Sequence, residues 1–214
     1  MNVTDIKLAM LTFCTGEKYN RCMSIGIESK RKYCEMNTID FIKEDVLYCE
    51  DRPCAWNKIP MTKKYLSSYD YVFWSDADVL IKNYDFDLRK YIEDKNDWDF
   101  VFSKCVWGVN SGNFFVKNTD SAIKMLDLIY SQTEFINHGW WEQMAIIHLL
   151  ETHEDFKSSC FIEENSRLFN AYTQDLNERS PEFDQQKYQD GDFLIHYAGI
   201  DTDSVRKLMR EDLS

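Results

Sequence analysis

The sequence predicts an α/β fold: a three-layer α/β/α sandwich around a mainly parallel central sheet. Two patterns carry the prediction. Short apolar runs alternate with stretches of helical periodicity along most of the chain, and that alternation is the signature of strands covered by helices. One run, Tyr71 to Trp74, is apolar at every position, as expected of a strand buried on both faces in mid-sheet. With 7 glycines and 3 prolines in 214 residues, no long low-complexity stretch is left over. The length suits one domain, spanning 1–214.

The elements follow in order. Ile6 to Phe13 reads as a buried strand that leaves through Cys14, Thr15 and Gly16 into a loop. Tyr19, Cys22, Met23 and Ile27 recur at helical spacing and predict a helix to about Cys34. Thr38 to Ile42 is a second strand. Pro60 opens a helix to about Ser67, because proline is tolerated in a first turn. After the Tyr71–Trp74 strand come strands at Phe100 to Ser103 and Asn113 to Lys117. Helices are predicted at Ala122 to Tyr130 and Trp141 to Leu150, then strands at Cys160 to Ile162 and Phe193 to Tyr197. Ser204 to Met209 closes the chain as a helix.

Composition excludes several classes of function. A net charge of −12 argues against sequence-independent nucleic-acid binding, which depends on Lys and Arg at phosphates. No apolar run approaches the roughly 20 residues of a membrane span. Met1 to Leu8 has no secretory signal pattern, so the chain reads as cytosolic, or as a catalytic domain separated from its anchor. Seven cysteines without a CxxC spacing read as reduced thiols rather than zinc ligands. An acidic protein with a phosphate-bearing ligand must supply positive charge locally, and a divalent cation does so economically.

The sharpest chemical signal is Asp76-Ala77-Asp78 directly after the apolar strand. Side chains two apart on extended backbone point the same way, so both carboxylates can converge at the carboxyl end of a buried strand, where open α/β sheets bind ligands. Paired carboxylates repel unless a cation joins them, and oxygen donors favour Mg or Mn over zinc. Two other readings fit the same residues. One aspartate can cap the next turn while the other is solvated. Alternatively, Asp76-Ala-Asp78-Val79 matches the DxDx(T/V) of haloacid dehalogenase-like phosphatases, with Asp76 as nucleophile, although that motif normally ends a first strand. A non-catalytic sugar- or nucleotide-binding module would carry much the same motifs.

Further along, Asn110-Ser111-Gly112-Asn113 puts amides and a hydroxyl around a glycine where backbone can approach a ligand closely; a polar turn between strands is the plain alternative. Trp140 and Trp141 would point about 100° apart on a helix, which predicts one in the core and one free to meet a ligand. Glu142 and Gln143 can bond hydroxyls, though an acidic residue also suits a helix N-terminus with no ligand.

Five motifs in order, Trp56-Asn-Lys58-Ile-Pro60, Tyr69-Asp-Tyr-Val-Phe-Trp-Ser-Asp76-Ala-Asp78, Val109-Asn110-Ser111-Gly112-Asn113-Phe-Phe115, Trp140-Trp-Glu142-Gln143 and His196-Tyr-Ala-Gly199, resemble the α-galactosyl/α-xylosyl/α-mannosyl transferase family of the GT-A fold, a Rossmann-like nucleotide-binding sandwich. Within that group the chain resembles chlorovirus glycosyltransferase domains that build capsid glycans, in which further enzymatic domains would follow C-terminally. The resemblance implies a glycosyltransferase that uses Mn2+ or Mg2+ and a nucleotide-sugar, UDP-linked in preference to GDP-linked, and acts on a glycan acceptor with retention of configuration. It implies that Asp78 and His196 hold the metal and that Asp76 contacts metal or ribose. Thr12, Phe13 and Cys14 would cradle base and ribose. Lys58 would lie near the phosphates, with a solvated lysine as the other reading, and Arg21 is a weaker candidate for that work. Asn110, Ser111 and Gly112 would meet the donor, and Gln143 or Asn113 would stabilise the developing oxocarbenium. Glu142 is the base if the reaction inverts.

Overall fold

The computed structural model describes residues 5–174 and 181–213. In chain order the strands and helices are β1 (Leu8–Phe13), α1 (Glu17–Met36), β2 (Asp40–Glu44), α2 (Lys58–Leu66), β3 (Tyr71–Ser75), β4 (Val79–Ile81), α3 (Leu88–Glu93), β5 (Phe100–Cys105), β6 (Gly108–Lys117), α4 (Asp120–Tyr130), α5 (Trp141–Thr152), α6 (Glu154–Ser158), β7 (Cys160–Glu163), α7 (Arg167–Asn170), α8 (Pro181–Gln185), β8 (Leu194–His196) and α9 (Thr202–Asp212). Six strands form the central sheet in the order β2-β1-β3-β6-β5-β7. β1 is parallel to β2 and β3, and β5 is parallel to β7. β6 alone runs antiparallel to its neighbours β3 and β5. The sheet is therefore mainly parallel, as predicted, with one reversed strand.

Strand alternation builds the three layers. Ala9, Leu11, Val72, Trp74, Phe102 and Phe114 face one way and pack on α2, α4 and α5. Leu8, Met10, Tyr71, Phe73, Val101 and Phe115 face the other way and pack on α1, α3 and α7. A side-chain period of two in each strand accounts for the division. Every residue of β3 is buried, so the apolar run read as a mid-sheet strand is one. A third cluster ties α1 and α9 to a separate two-stranded sheet of β4 and β8. At Gly26 a Cβ would lie 2.5 Å from the Val79 carbonyl oxygen, so only glycine lets α1 approach β4 this closely.

The structure departs from the sequence reading in a few places. The second strand runs Asp40–Glu44 instead of Thr38–Ile42, because Thr38 has φ 54° and belongs to the turn. The Phe193–Tyr197 segment forms only the three-residue β8, paired with β4 and outside the central sheet. β4, α3, α6, α7 and α8 were not predicted; each has six residues or fewer, too short for periodicity to register. Among the described residues no helix is long and apolar enough to cross a membrane. All seven cysteines are free, and six of them are buried.

Candidate active site

Asp76 and Asp78 occupy the turn between β3 and β4, at the carboxyl end of the buried central strand. β4 pairs with β8 so that Val79 stands opposite His196, which carries the imidazole across to the two carboxylates. One ligand atom from each of Asp76, Asp78 and His196 lies within 4.8 Å of the others. The His196 Nε2 is 3.6 Å from Asp78 Oδ1. Two carboxylate oxygens and an imidazole nitrogen make a donor set suited to Mn2+, and with added water to Mg2+.

The imidazole is held from behind. Its Nδ1 lies 2.7 Å from Asn170 Oδ1, in a fully buried contact at the end of α7. An amide oxygen only accepts, so Nδ1 carries a proton, and Nε2 is the ring nitrogen that faces Asp78: protonated it donates to that carboxylate, deprotonated it offers its lone pair to a metal. Gly112 makes room for the ring: a Cβ there would fall 2.3 Å from His196 Cε1. Burial pushes the Asp78 carboxyl up, but with Nε2 protonated as well, the hydrogen bond and charge of His196, together with the Lys30 ammonium, outweigh it and hold the carboxyl below its usual range. Lys30 is fully buried on α1 and donates to the Val79 carbonyl at 2.6 Å. Burial lowers its pKa to about 7 against the pull of Asp78 and Asp76.

Asp76 belongs to a second, denser network. Its Oδ1 accepts from Trp74 Nε1 at 2.7 Å, and Lys58 Nζ lies 3.1 Å from the same oxygen and 3.2 Å from Oδ2. That ammonium also meets Glu142 Oε1 at 2.9 Å and the Ser111 carbonyl at 3.1 Å. Ser111 Oγ donates to Glu142 Oε1 as well. Lys58 is 4% exposed and Glu142 3%, which rules out the solvated lysine. Burial works to lower the Lys58 ammonium, but Asp76 and Glu142 together hold it above its ordinary range. Glu142 is raised by its own burial, against Lys58.

These groups open onto one cavity of about 490 Å³, whose lining includes Lys58, Asp76, Asp78, Asn110, Ser111, Gly112, Glu142, Gln143 and His196. The sequence-predicted residues of five separate segments thus converge on one space. Gln143 Oε1 accepts from the Ser111 amide at 3.2 Å and from Asn110 Nδ2 at 3.4 Å. Asn110 to Asn113 lie inside β6, so the turn reading of that segment does not hold. The pairing register with β5 jumps from Phe102–Phe114 to Ser103–Asn110, a bulge that re-aims side chains next to the site.

Other predicted residues are not brought in. Asn113 points away from the cavity: its Nδ2 donates to the Phe169 carbonyl at 2.9 Å, and it is 1% exposed. Thr12 and Cys14 are completely buried at the end of β1, and burial pushes the Cys14 thiol up to about 11. Neither side chain is free to bond a base; Phe13 is half-buried. Arg21 is exposed on α1 and does not line the cavity. Trp140 and Trp141 both line it, and neither is core. Their predicted divergence fails because Trp141 has φ 45°, so the first turn of α5 is not regular helix. Sequence reasoning missed Asn170 and Lys30, since an isolated amide and one more lysine on a helix carry no local signal.

The profile of the galactosyl transferase GMA12/MNN10 family matches residues 6–97 and 90–204. An uncharacterised alpha-1,2-galactosyltransferase of Schizosaccharomyces pombe is 25% identical over 214 residues, covering 81% of this chain and 55% of its own length. Xyloglucan 6-xylosyltransferase 2 of Arabidopsis thaliana is 26% identical over 112 residues, 48% of this chain and 24% of its own length. The chain spans about half the length of the first of these relatives. Among solved structures, a glycosyltransferase involved in glycosylation of the major capsid of PBCV-1 superposes with a TM-score of 0.72 at 14% identity, over 95% of this chain and 98% of that one. The galactosyltransferase LgtC, solved with donor and acceptor sugar analogues, gives 0.57 at 13% identity, over 94% and 95%. These likenesses show the GT-A fold.

Proposed function

The chain belongs to the galactosyl transferase GMA12/MNN10 family, and from that premise we propose that it is a metal-dependent glycosyltransferase, moving a hexose or deoxyhexose from a nucleotide-sugar to a glycan acceptor. One observation carries the metal and donor parts of this reading. Among the described residues the cavity is lined by three carboxylates, Asp76, Asp78 and Glu142, against one ammonium, Lys58, which is already engaged by two of them. A diphosphate cannot settle in such a field without a divalent cation, and Asp76, Asp78 and His196 form the cluster that would hold it. A bound Mn2+ or Mg2+ supplies Lewis acidity and offsets the charge of the departing diphosphate.

The chain's own groups do the remaining work. Asp78 and His196 fix the ligand geometry, and Asp76 is free to turn toward metal or ribose only as far as Lys58 and Trp74 allow. Lys58 bridges Asp76 and Glu142 and offsets their mutual repulsion beside the donor. Asn110, Ser111 and Gly112 bring backbone and amide groups near the sugar. Gln143, pinned by two donors to its Oε1, presents its amide to the anomeric region, where a polar group stabilises an oxocarbenium-like centre. The alpha linkage in the relative's name supports retention, because an α-linked donor then yields an α-linked product. Phe13 is the residue of its segment with a face to offer the base, and UDP is the preferred donor nucleotide over GDP.

Calorimetric titration of UDP, GDP and their sugars, with and without Mn2+, tests the reading in wild type and Asp78→Asn. Metal-dependent nucleotide binding that disappears in the variant is the expected result. No binding of any nucleotide would overturn it. The phosphatase reading has no support from the family match or from Asp76, whose two oxygens are both engaged.

A further inference from the structure

Three tryptophans crowd the open end of the cavity. Trp107 stands at the tip of the β5–β6 hairpin and is 54% exposed, while Trp140 and Trp141 are 38% and 40% exposed. The ring centroids of Trp107 and Trp140 are 5.8 Å apart, and Phe183 lies 6.1 Å from Trp107. All four side chains line the cavity. The wall is thus continuous with the metal cluster and not a separate surface patch.

A second observation points the same way. Trp141 has φ 45°, a conformation that a bulky residue adopts only under strain, and such outliers gather at ligand sites. In regular helix the two adjacent tryptophans would diverge by about 100°. The strained turn sends both into the cavity. Neither the strain nor the exposure serves the core.

The chemistry of the wall selects its occupant. Among the described residues lining the cavity, Lys58 is the only Lys or Arg, and it is bound to Asp76 and Glu142. Among those residues the aromatic end therefore offers no free cation to a phosphate, a sulfate or an acidic sugar. Flat aromatic faces next to the amides of Asn110 and Gln143 suit a neutral ring with an apolar C–H face and hydroxyl edges. We propose that Trp107, Trp140 and Trp141 form an acceptor subsite that stacks on a neutral pyranose ring of the glycan receiving the sugar. The inference rests on the glycosyltransferase reading and adds the residues that select the acceptor.

Trp107 is the residue to change, because it sits on an exposed hairpin tip outside the core. The probes are the methyl α-glycosides of glucose, galactose, mannose and xylose, followed by saturation-transfer NMR from the indole protons. Calorimetry with UDP, GDP and Mn2+ runs in parallel. In wild type at least one glycoside should receive saturation on its C–H protons. Trp107→Ala should weaken that binding about tenfold, and Trp107→Phe should keep most of it. Nucleotide affinity should stay the same in all three proteins. Saturation of no glycoside by the wild type, equal binding by Trp107→Ala, or a change in nucleotide affinity instead would each overturn the subsite. A wild type that binds nucleotide with Mn2+ but no glycoside sinks the subsite alone, whereas one that binds no nucleotide sinks the glycosyltransferase reading on which it rests.

Discussion

Replacing Lys58 by methionine removes the ammonium that lies between two carboxylates, and its distances allow the consequence to be worked through. Lys58 Nζ is 2.9 Å from Glu142 and 3.1 Å from Asp76. At an effective dielectric of about 20, each contact amounts to roughly 5 kcal/mol of attraction. Desolvation of the ions offsets much of that, and breaking a buried pair by deleting one partner costs about 3–5 kcal/mol net. For a chain of this size that is a fall in Tm of about 6–20 °C.

The deficit should also depend on pH. Glu142 is already raised in the folded protein by burial, and without Lys58 it rises further. Between the ordinary carboxylate value and this raised one, the folded state binds a proton that the unfolded state does not. Stability therefore increases as pH falls through that window. Thermal denaturation followed by circular dichroism should show a smaller deficit at pH 5 than at pH 7.5. The double variant Lys58→Met/Glu142→Gln should recover part of the loss at pH 7.5. An unchanged Tm at pH 7.5, or a deficit identical at both pH values, would refute the argument that this ammonium neutralises a buried carboxylate.

Two further outcomes are expected. Asn170→Ala should weaken Mn2+ binding about 10–100-fold, the usual effect of losing the partner that orients a metal-ligating histidine; electron paramagnetic resonance of free Mn2+ measures this, and unchanged affinity would show that the Asn170 contact to His196 Nδ1 has no such role. Iodoacetamide at pH 7.5 should modify Cys54, the exposed thiol, well before Cys14 or Cys160, which burial raises to about 11 and about 12; peptide mass spectrometry reads the order, and early labelling of Cys14 would contradict its burial.

Much of the site was legible in the sequence because its parts lie in short local motifs. The apolar run ending in Asp76 and Asp78 specified a buried strand with two carboxylates at its carboxyl end, and β3 is that strand. Lys58, Asn110, Ser111, Gly112, Glu142, Gln143 and His196 were picked out from motifs and meet at one cavity. Other expected residues do not reach it. Thr12, Cys14 and Asn113 were expected at the donor from the family resemblance, yet each buries its side chain in the interior, outside the cavity lining. Which face of a strand looks into a cavity depends on what packs against it, and the bulge in β6 changes that face within a few residues.

Local pattern by itself determined the α/β layering, the central buried strand and the acidic pair, because periodicity and residue type are properties of neighbouring residues. Tertiary structure alone decided the reversal of β6, the pairing of β4 with β8 that delivers His196 to Asp78, and the Asn170 contact that orients the imidazole. It also decided the fate of the charges. Lys58 is separated from Asp76 by 18 residues and from Glu142 by 84, and nothing in any one segment tells a solvated lysine from the buried cation that joins two carboxylates. That distinction is made by desolvation, which exists only after the chain has closed around the three groups.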